Sequence, residues 1–169
     1  VIPVNEYFDT IVDEKIVSSK TLHGIFINRY FSGNVDLLQQ QIDDKLSEIT
    51  PIEINNERLR GNKNKYCLGT IVEIESDGII FYLIALAHFD KDDKAFVSEI
   101  EYKAVLNSLF YYVEYNSPEL VINVTLIGTG LSKAITTQEQ AIEQMHISME
   151  NIPTSLNLDK SNIKIIVFG

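Results

Sequence analysis

The sequence predicts an α/β fold with three layers, in which helices cover both faces of a central mixed sheet. Strand-like apolar segments alternate with segments of helical periodicity along the whole chain, which is typical of α/β domains. Asp77-Gly78 lies between two apolar runs at 69–75 and 79–87, and this arrangement indicates a hairpin. The second run, IIFYLIALA, is apolar on both faces, so we expect it to be a central strand.

The size and composition of the chain fit one domain, residues 1–169. Hydrophobic residues make up 45% and charged residues 22%, as in globular proteins rather than disordered ones. A formal net charge of −10 disfavours nucleic acid as a partner, but backbone N–H groups can still hold a small anion. The single cysteine, Cys67, excludes an internal disulfide and fits a reducing cytosol, and we expect it to be buried.

In the first part of the chain, residues 2–4 are a predicted strand end, 5–20 a loop and 22–31 a short helix. Residues 34–49 have the periodicity of an amphipathic helix that ends at Thr50-Pro51. The expected buried positions of this helix step by threes and fours: Val35, Leu38, Ile42, Leu46 and Ile49. Residues 53–65 are polar and basic and are expected to be a loop.

After the hairpin, residues 88–95 are expected to be a polar loop, and Ser98 begins a helix with Glu101 in a capping box. The expected buried face of this helix consists of Tyr102, Val105, Leu106, Leu109, Phe110 and Val113. A strand is predicted at 120–126 and another at 163–168. Between them a helix starts near Thr137, with Gln140 as a second capping box. Its expected buried positions are Ala141, Ile142, Met145 and Met149.

Ligands of open α/β sheets bind outside the carboxyl ends of the strands, and three predicted loops leave such ends: 5–24, 88–95 and 127–134. In the last of them, Gly128 and Gly130 would let the backbone approach a ligand, and Thr129 and Ser132 add hydroxyls. A tight strand-to-helix turn and a phosphate cradle explain these glycines equally well. The loop has neither the third glycine of a dinucleotide fingerprint nor the lysine of a P-loop.

Several side chains near these loops have two interpretations each. His88 either bonds backbone at a strand end or contacts a ligand, and Phe89 either stacks on adenine or fills the core. Asp90 either accepts hydrogen bonds from a nucleotide or begins a solvated run of Asp and Lys. His23 beside Gly24 is a candidate ligand group. The acidic run at 90–93 lacks the spacing of an EF-hand, so no metal is expected.

The order of these segments resembles a macro domain, the fold that binds ADP-ribose. The chain is most similar to the divergent macro-like domain of membrane-anchored effectors in bacterial Thoeris antiphage systems. The matching segments are spread over nearly the whole chain, in the same order as in the family: IPVNEYFD (2–9), SSKTLHGIFIN (18–28), YCLGTIVEI (66–74), ALAHFDKDDKA (85–95) and LIGTGLSKA (126–134).

The resemblance implies a ligand sensor rather than an enzyme, because His23-Gly24 stands where the family has a run of three glycines. Asn5 stands at the place of the family's first loop asparagine, and 126–132 at the place of its pyrophosphate loop. The ligand-binding residues that the resemblance and the loops together imply are Asn5, Leu22, His23, Gly24, His88, Phe89, Asp90, Gly128, Thr129, Gly130, Leu131, Ser132 and Lys133.

The resemblance also implies the signal and the partners. A TIR-domain partner would make an ADP-ribose-type signal from NAD, sometimes conjugated to histidine or another group, and the effector would cluster on binding it. The chain opens at Val1 in mid-pattern, so we expect a cytoplasmic domain of a longer, oligomeric protein anchored in the bacterial inner membrane. No catalytic residue and no cofactor are expected. An ADP-ribosyl hydrolase using the same pocket and a purely structural oligomerisation module remain the alternatives.

Overall fold

The computed structural model describes residues 1–90, 92, 94–117, 119–128, 137–153 and 162–167. Its strands are β1 (Ile2–Asn5), β2 (Glu53–Ile54), β3 (Asn64–Lys65), β4 (Ile71–Ser76), β5 (Ile79–Phe89), β6 (Ala95–Phe96), β7 (Ile122–Thr125) and β8 (Ile163–Ile166). Its helices are α1 (Leu22–Tyr30), α2 (Val35–Leu46), α3 (Glu99–Asn116) and α4 (Gln138–Glu150).

The sheet is mixed, as predicted, and β5 is its central strand. β5 pairs with β1 in parallel and with β4 in antiparallel, across the Asp77-Gly78 hairpin. β7 and β8 form a further parallel pair. The main-chain nitrogen of Val1 donates to the carbonyl of Asn123 at 2.8 Å, which connects β7 to the β1 side of the sheet.

Helices cover both faces of this sheet, so the predicted three-layer α/β/α arrangement is confirmed. Alternate residues of β5 point to opposite faces, because side chains along a strand have a period of two. Phe81, Leu83 and Ala85 belong to the core with α1 and α2. Their neighbours on β5 belong to the core with α3 and α4, namely Tyr82, Ile84 and Leu86.

Helix α3 begins as the sequence predicts. The Ser98 hydroxyl accepts from the Glu101 N–H, and the Glu101 carboxylate accepts from the Ser98 N–H, which completes the capping box. All six positions of its predicted face are buried. At α4, Thr137 accepts from the Gln140 N–H, and of the four predicted core positions only Ile142 is half-buried rather than buried.

Four expectations differ from the structure. α2 ends at Leu46, and Ile49 is exposed instead of joining its buried face. The 53–65 stretch contains the two-residue strands β2 and β3, which pair with each other. The predicted loop at 88–95 is partly strand, because β5 continues through Phe89 and pairs with β6. Cys67 is exposed, because the neighbouring Tyr66 takes the core position on this segment.

The remaining boundaries agree within about two residues, which is the usual uncertainty of a helix or strand end. Position 168 of the last predicted strand lies outside the described residues. Within the described ranges, no helix is both long and apolar enough to cross a membrane.

Candidate functional site

The loop that follows β1, the end of β5 and the loop that follows β7 are connected through His88 and α3. β1 and β5 are parallel, so Asn5 and Ala87 are partners at the same end of the sheet. The first turn of α3 contacts both of the other loops. The Glu101 carboxylate bonds the imidazole of His88, and the next residue, Tyr102, donates its hydroxyl to the carbonyl of Ile127 at 2.8 Å. We call residues 5–10, 88–90 and 127–128 the strand-end site.

The first part of this site is a buried polar loop. Asn5, the last residue of β1, and Glu6, Asp9 and Thr10 of the loop after it are all buried. The Asn5 amide oxygen accepts from the Tyr7 N–H at 3.0 Å, and its amide nitrogen donates to Asp9 at 3.0 Å. Both ends of the Asn5 amide are therefore engaged inside the loop, so its side chain shapes the loop from within.

A second segment, residues 52–65, holds that loop from outside. Arg58 donates to both carboxylate oxygens of Asp9, at 3.0 and 2.7 Å, and its guanidinium lies 4.0 Å from the centre of the Tyr7 ring. The Asn62 N–H also donates to Asp9, at 2.7 Å. A Cβ at Gly61 would lie 2.3 Å from the Asp9 carboxylate, and its φ is +76°, so both space and backbone require glycine there.

The His88 imidazole lies between two carboxylates. Its Nδ1 is 2.5 Å from Glu6 and its Nε2 is 2.9 Å from Glu101. Burial lowers the pKa of His88, but the hydrogen bonds and charges of Glu6 and Glu101 outweigh it and raise that pKa above the ordinary 6.5. Hydrogen bonds from Ser98, and then from His88, lower the pKa of Glu101 to about 2. The two carboxylates therefore stabilise the protonated form of the His88 imidazole relative to that of a free histidine.

Glu6 is held from two further directions. Its side chain is fully buried, its Oε1 accepts from the Phe89 N–H at 3.1 Å, and Lys65 lies 3.4 Å from its Oε2. The positive charges of Lys65 and His88 compensate the desolvation of this carboxylate, without which a buried charge would be very costly.

His23 and Gly24 lie in the first turn of α1, where Thr21 caps the helix by accepting from the Gly24 N–H. A Cβ at Gly24 would lie 2.2 Å from the carbonyl oxygen of Ser18, so this glycine allows a close approach within the chain. His23 is 6% exposed, and burial lowers its pKa to about 4. Its buried Nε2 has no hydrogen-bond partner among the described residues, so a ligand could satisfy this atom.

Gly128 ends the described part of the predicted glycine loop. Its φ is +96°, and a Cβ there would lie 2.5 Å from the Tyr102 ring, so packing inside the domain already requires glycine. This favours the tight-turn interpretation for Gly128. The predicted site residues Thr129, Gly130, Leu131, Ser132 and Lys133 lie outside the described residues.

The remaining predicted site residues differ in exposure. Phe89 and Leu22 are half-buried and pack against the core on the α1 and α2 face. Asp90 is exposed, and its Oδ1 accepts from the N–H groups of Asp92 and Lys94, so part of its carboxylate closes the turn that follows β5. Among the described residues, no group of three His, Cys, Asp or Glu side chains is arranged to hold a metal ion.

Two residues of this site, Glu6 and Asp9, were not singled out as site residues from the sequence, nor were Arg58 and Glu101, which contact it. A signal for Glu6 and Asp9 exists in the segment NEYFDT (5–10), in which a pair of aromatic residues lies between two pairs of polar residues at the end of a buried strand. Arg58 and Glu101 lie far from that segment in the chain, and the residues alone give no sign of which carboxylate or imidazole each of them contacts.

Comparison with known proteins agrees with this architecture. A family model described as the macro domain of the Thoeris protein ThsA matches residues 1–167. A Thoeris protein ThsA from Bacillus amyloliquefaciens (strain Y2) is 30% identical over 151 residues. The matched region is 88% of this chain and 49% of that relative, so the chain corresponds to about half of the relative's length.

Proposed function

We propose, from the premise that this chain belongs to the macro domain family of the Thoeris protein ThsA, that it is the ligand sensor of an antiphage defence protein. In this proposal the domain binds an ADP-ribose-type nucleotide at the strand-end site and does not consume it. The family supports the ligand class, and the arrangement of the site supports both the place of binding and the absence of chemistry.

The observation that carries the proposal is the convergence of three strand ends: α3 contacts the end of β5 and the loop after β7, and Glu6 of the loop after β1 contacts His88 of β5. Glu101 fixes the end of β5 and Tyr102 fixes the loop after β7, and these two residues are consecutive in the chain. A dinucleotide-sized ligand needs contacts from several loops at once, and such loops meet outside the carboxyl ends of strands. The buried, unpartnered Nε2 of His23 adds a polar atom that a bound ligand would satisfy.

The engagement of His88, Asp9 and Glu6 in internal contacts supports binding without consumption. A general base needs a lone pair within reach of the proton that it removes. Both ring nitrogens of His88 already bond carboxylates, and Asp9 bonds Arg58 and Asn62. Glu6 is enclosed by His88, Lys65 and the Phe89 N–H. These three candidate acid–base groups of the described part of the site are therefore committed to the protein itself.

At the level of the whole protein, the proposal extends to the signal and its consequence. The signal would be made from NAD by a TIR-domain partner and would carry histidine or another group on the ADP-ribose. Its binding would promote clustering of a homo-oligomeric effector that is anchored in the bacterial inner membrane, with this domain in the cytoplasm. The family context supports this extension.

Calorimetric titration with ADP-ribose tests the proposal, with AMP and ribose 5-phosphate as truncated ligands. We expect saturable binding of ADP-ribose and much weaker binding of either fragment, because each fragment reaches only part of the site. A matched control is His146→Asn, since His146 is an exposed residue of α4 away from the strand-end site. No heat of binding with a folded protein would contradict the proposal and favour the oligomerisation module.

A further inference from the structure

The cluster of Glu6, His88 and Glu101, which we call the His88 bridge, joins three separate elements. Glu6 belongs to the loop after β1, His88 to the end of β5 and Glu101 to the first turn of α3. The imidazole reaches the two carboxylates with opposite ring nitrogens, at 2.5 and 2.9 Å. The bridge therefore fixes the position of α3 relative to the loop that shapes the strand-end site.

Only the protonated ring can donate from both nitrogens, because a neutral imidazole carries one N–H and one lone pair. When His88 loses its proton, one carboxylate faces that lone pair, which is repulsive. Neither carboxylate can turn away without losing other bonds. Glu6 also accepts from the Phe89 N–H, and Glu101 also accepts from Ser98 in the capping box. The strain of the neutral state must therefore be relieved by movement of α3 or of the loop.

Movement of α3 reaches the ligand site directly. Tyr102 follows Glu101, its hydroxyl holds the carbonyl of Ile127, and its ring occupies the space beside Gly128. A shift of the first turn of α3 thus changes the end of the β7 loop. The opposite end of the bridge is equally well connected, because Glu6 lies in the polar loop that Asp9 and Arg58 hold in place.

We propose that the protonation state of His88 regulates the affinity of the strand-end site, through the coupling of α3 to the loops after β1 and β7. This inference rests on the proposed function and adds regulation to the same site. Affinity is high while the imidazolium bridges the two carboxylates, and it falls as pH rises and the bridge opens on one side.

The direction of the pH dependence follows from the direction in which the pKa of His88 is shifted. The folded protein raises the pKa of His88 above 6.5, so the bridge is complete at lower pH and is lost as pH rises through the raised value. The charged groups that face the ring are Glu6 from the β1 loop and Glu101 from α3, with Lys65 of β3 behind Glu6. From β6 the uncharged Phe96 ring lies 5.3 Å from the imidazole, centroid to centroid.

The other two histidines of the chain serve to isolate the effect. Burial lowers the pKa of His23 to about 4, so it stays neutral throughout the range in which His88 titrates. His146 is exposed on α4, outside the bridge. His146→Asn is therefore expected to keep the pH dependence of the unmodified domain.

Titration of ADP-ribose into the domain at constant ionic strength, from about pH 6 to about pH 9, tests the inference. We expect the affinity to fall by at least about fivefold over this range, the lower end of typical coupling between sites. The variant His88→Asn should bind ADP-ribose weakly at both the lowest and the highest pH, because the asparagine side chain bonds only one of the two carboxylates. Circular dichroism at each pH confirms that the variants remain folded.

Glu101→Gln is the decisive variant. Glutamine can complete the capping box and donate its amide N–H to a neutral imidazole, so the bridge no longer needs a proton. The affinity of the Glu101→Gln variant for ADP-ribose should be the same at both ends of the pH range. A flat profile for the unmodified domain, or a fall retained in Glu101→Gln, would overturn the inference while leaving the proposed function intact. If ADP-ribose binds at no pH, the proposed function fails and the inference fails with it.

Discussion

The Tyr102 ring lies so close to Gly128 that it leaves no room for a side chain at position 128. The Tyr102 hydroxyl donates to the carbonyl of Ile127 at 2.8 Å, and a Cβ at position 128 would lie 2.5 Å from its ring. Burial raises the pKa of Tyr102 to about 12, so the hydroxyl keeps its proton for this bond at every physiological pH. The glycine that marks the start of the candidate phosphate loop is thus fixed by the core helix beneath it.

Gly128→Ala should therefore cost about 2–4 kcal/mol in the free energy of unfolding, from a left-handed backbone plus overpacking against Tyr102. Gly33→Ala is the matched control. Gly33 has φ +77°, but nothing lies within 4 Å of the position that its Cβ would take. Urea denaturation measures both variants. Equal losses of stability in the two variants would show that the Tyr102 ring moves aside easily and does not fix the loop.

Removal of one partner of the buried pair between Asp9 and Arg58 should be far more damaging than removal of a surface pair. Arg58→Met leaves a fully buried carboxylate with one cation fewer, at a cost of about 3–5 kcal/mol. Arg60→Met is the control, since Arg60 bonds Asp13 with half of its side chain exposed and should lose about 0–1 kcal/mol. Thermal unfolding compares the two. Similar losses would mean that Asp9 is solvated after all.

The variant His23→Leu tests whether His23 binds the ligand or has only a structural role. Leucine removes a buried polar atom without a described partner, so stability should stay equal or rise by about 1–2 kcal/mol. The affinity for ADP-ribose should fall at least about tenfold if that nitrogen bonds the ligand, since one lost hydrogen bond is worth about 1.4 kcal/mol. Denaturation and calorimetry on the same sample give both values. Unchanged affinity in a more stable protein would remove His23 from the site.

The sequence predicted the fold well wherever a periodic pattern is long or a local motif is specific. The buried face of α3, its capping box and the Asp77-Gly78 hairpin are all confirmed. The sequence pattern was misleading where tertiary contacts determine the end of a strand or the burial of a side chain. β5 extends through Phe89 because β6 pairs with it, and Ile49 is exposed because α2 has already ended at Leu46.

The sequence indicated the loops after β1, β5 and β7, and the structure connects them, but a ligand site at these loops stays a prediction. His88 was singled out from the sequence without its partners. Its two partners, Glu6 and Glu101, lie 82 and 13 residues away in the chain, and no spacing rule connects them to it. Asn5 and Gly24 were assigned to a ligand, whereas the structure shows that each has an internal role, one in a loop and one at a helix start.

We expect the affinity for ADP-ribose to depend weakly on salt, although the ligand is anionic. Two cations close to the site, Arg58 and Lys65, already pair with Asp9 and Glu6. Hydrogen bonds in a closed pocket are screened much less than exposed charges, so a tenfold rise in salt should change affinity by less than about threefold.

The same titrations test the predicted phosphate cradle when they are repeated with variants of two residues of the predicted loop at 127–134. Lys133→Ala should cost less affinity than Gly130→Val, because we expect backbone N–H groups rather than the lysine to hold the phosphates. A steep loss of affinity with salt, together with a severe Lys133→Ala defect, would instead assign the phosphates to side-chain cations.

The central claim, binding without consumption, is tested most directly by mass spectrometry of the nucleotide after incubation with the domain. Histidine-conjugated ADP-ribose is incubated with an equal amount of protein, the protein is retained on a filter, and the nucleotide is then released by denaturation. The account predicts that the conjugate stays with the protein and is recovered at its original mass. Free ADP-ribose in the recovered material would show that the domain is a hydrolase, and a conjugate that passes entirely into the filtrate would show that it is not a sensor of this ligand.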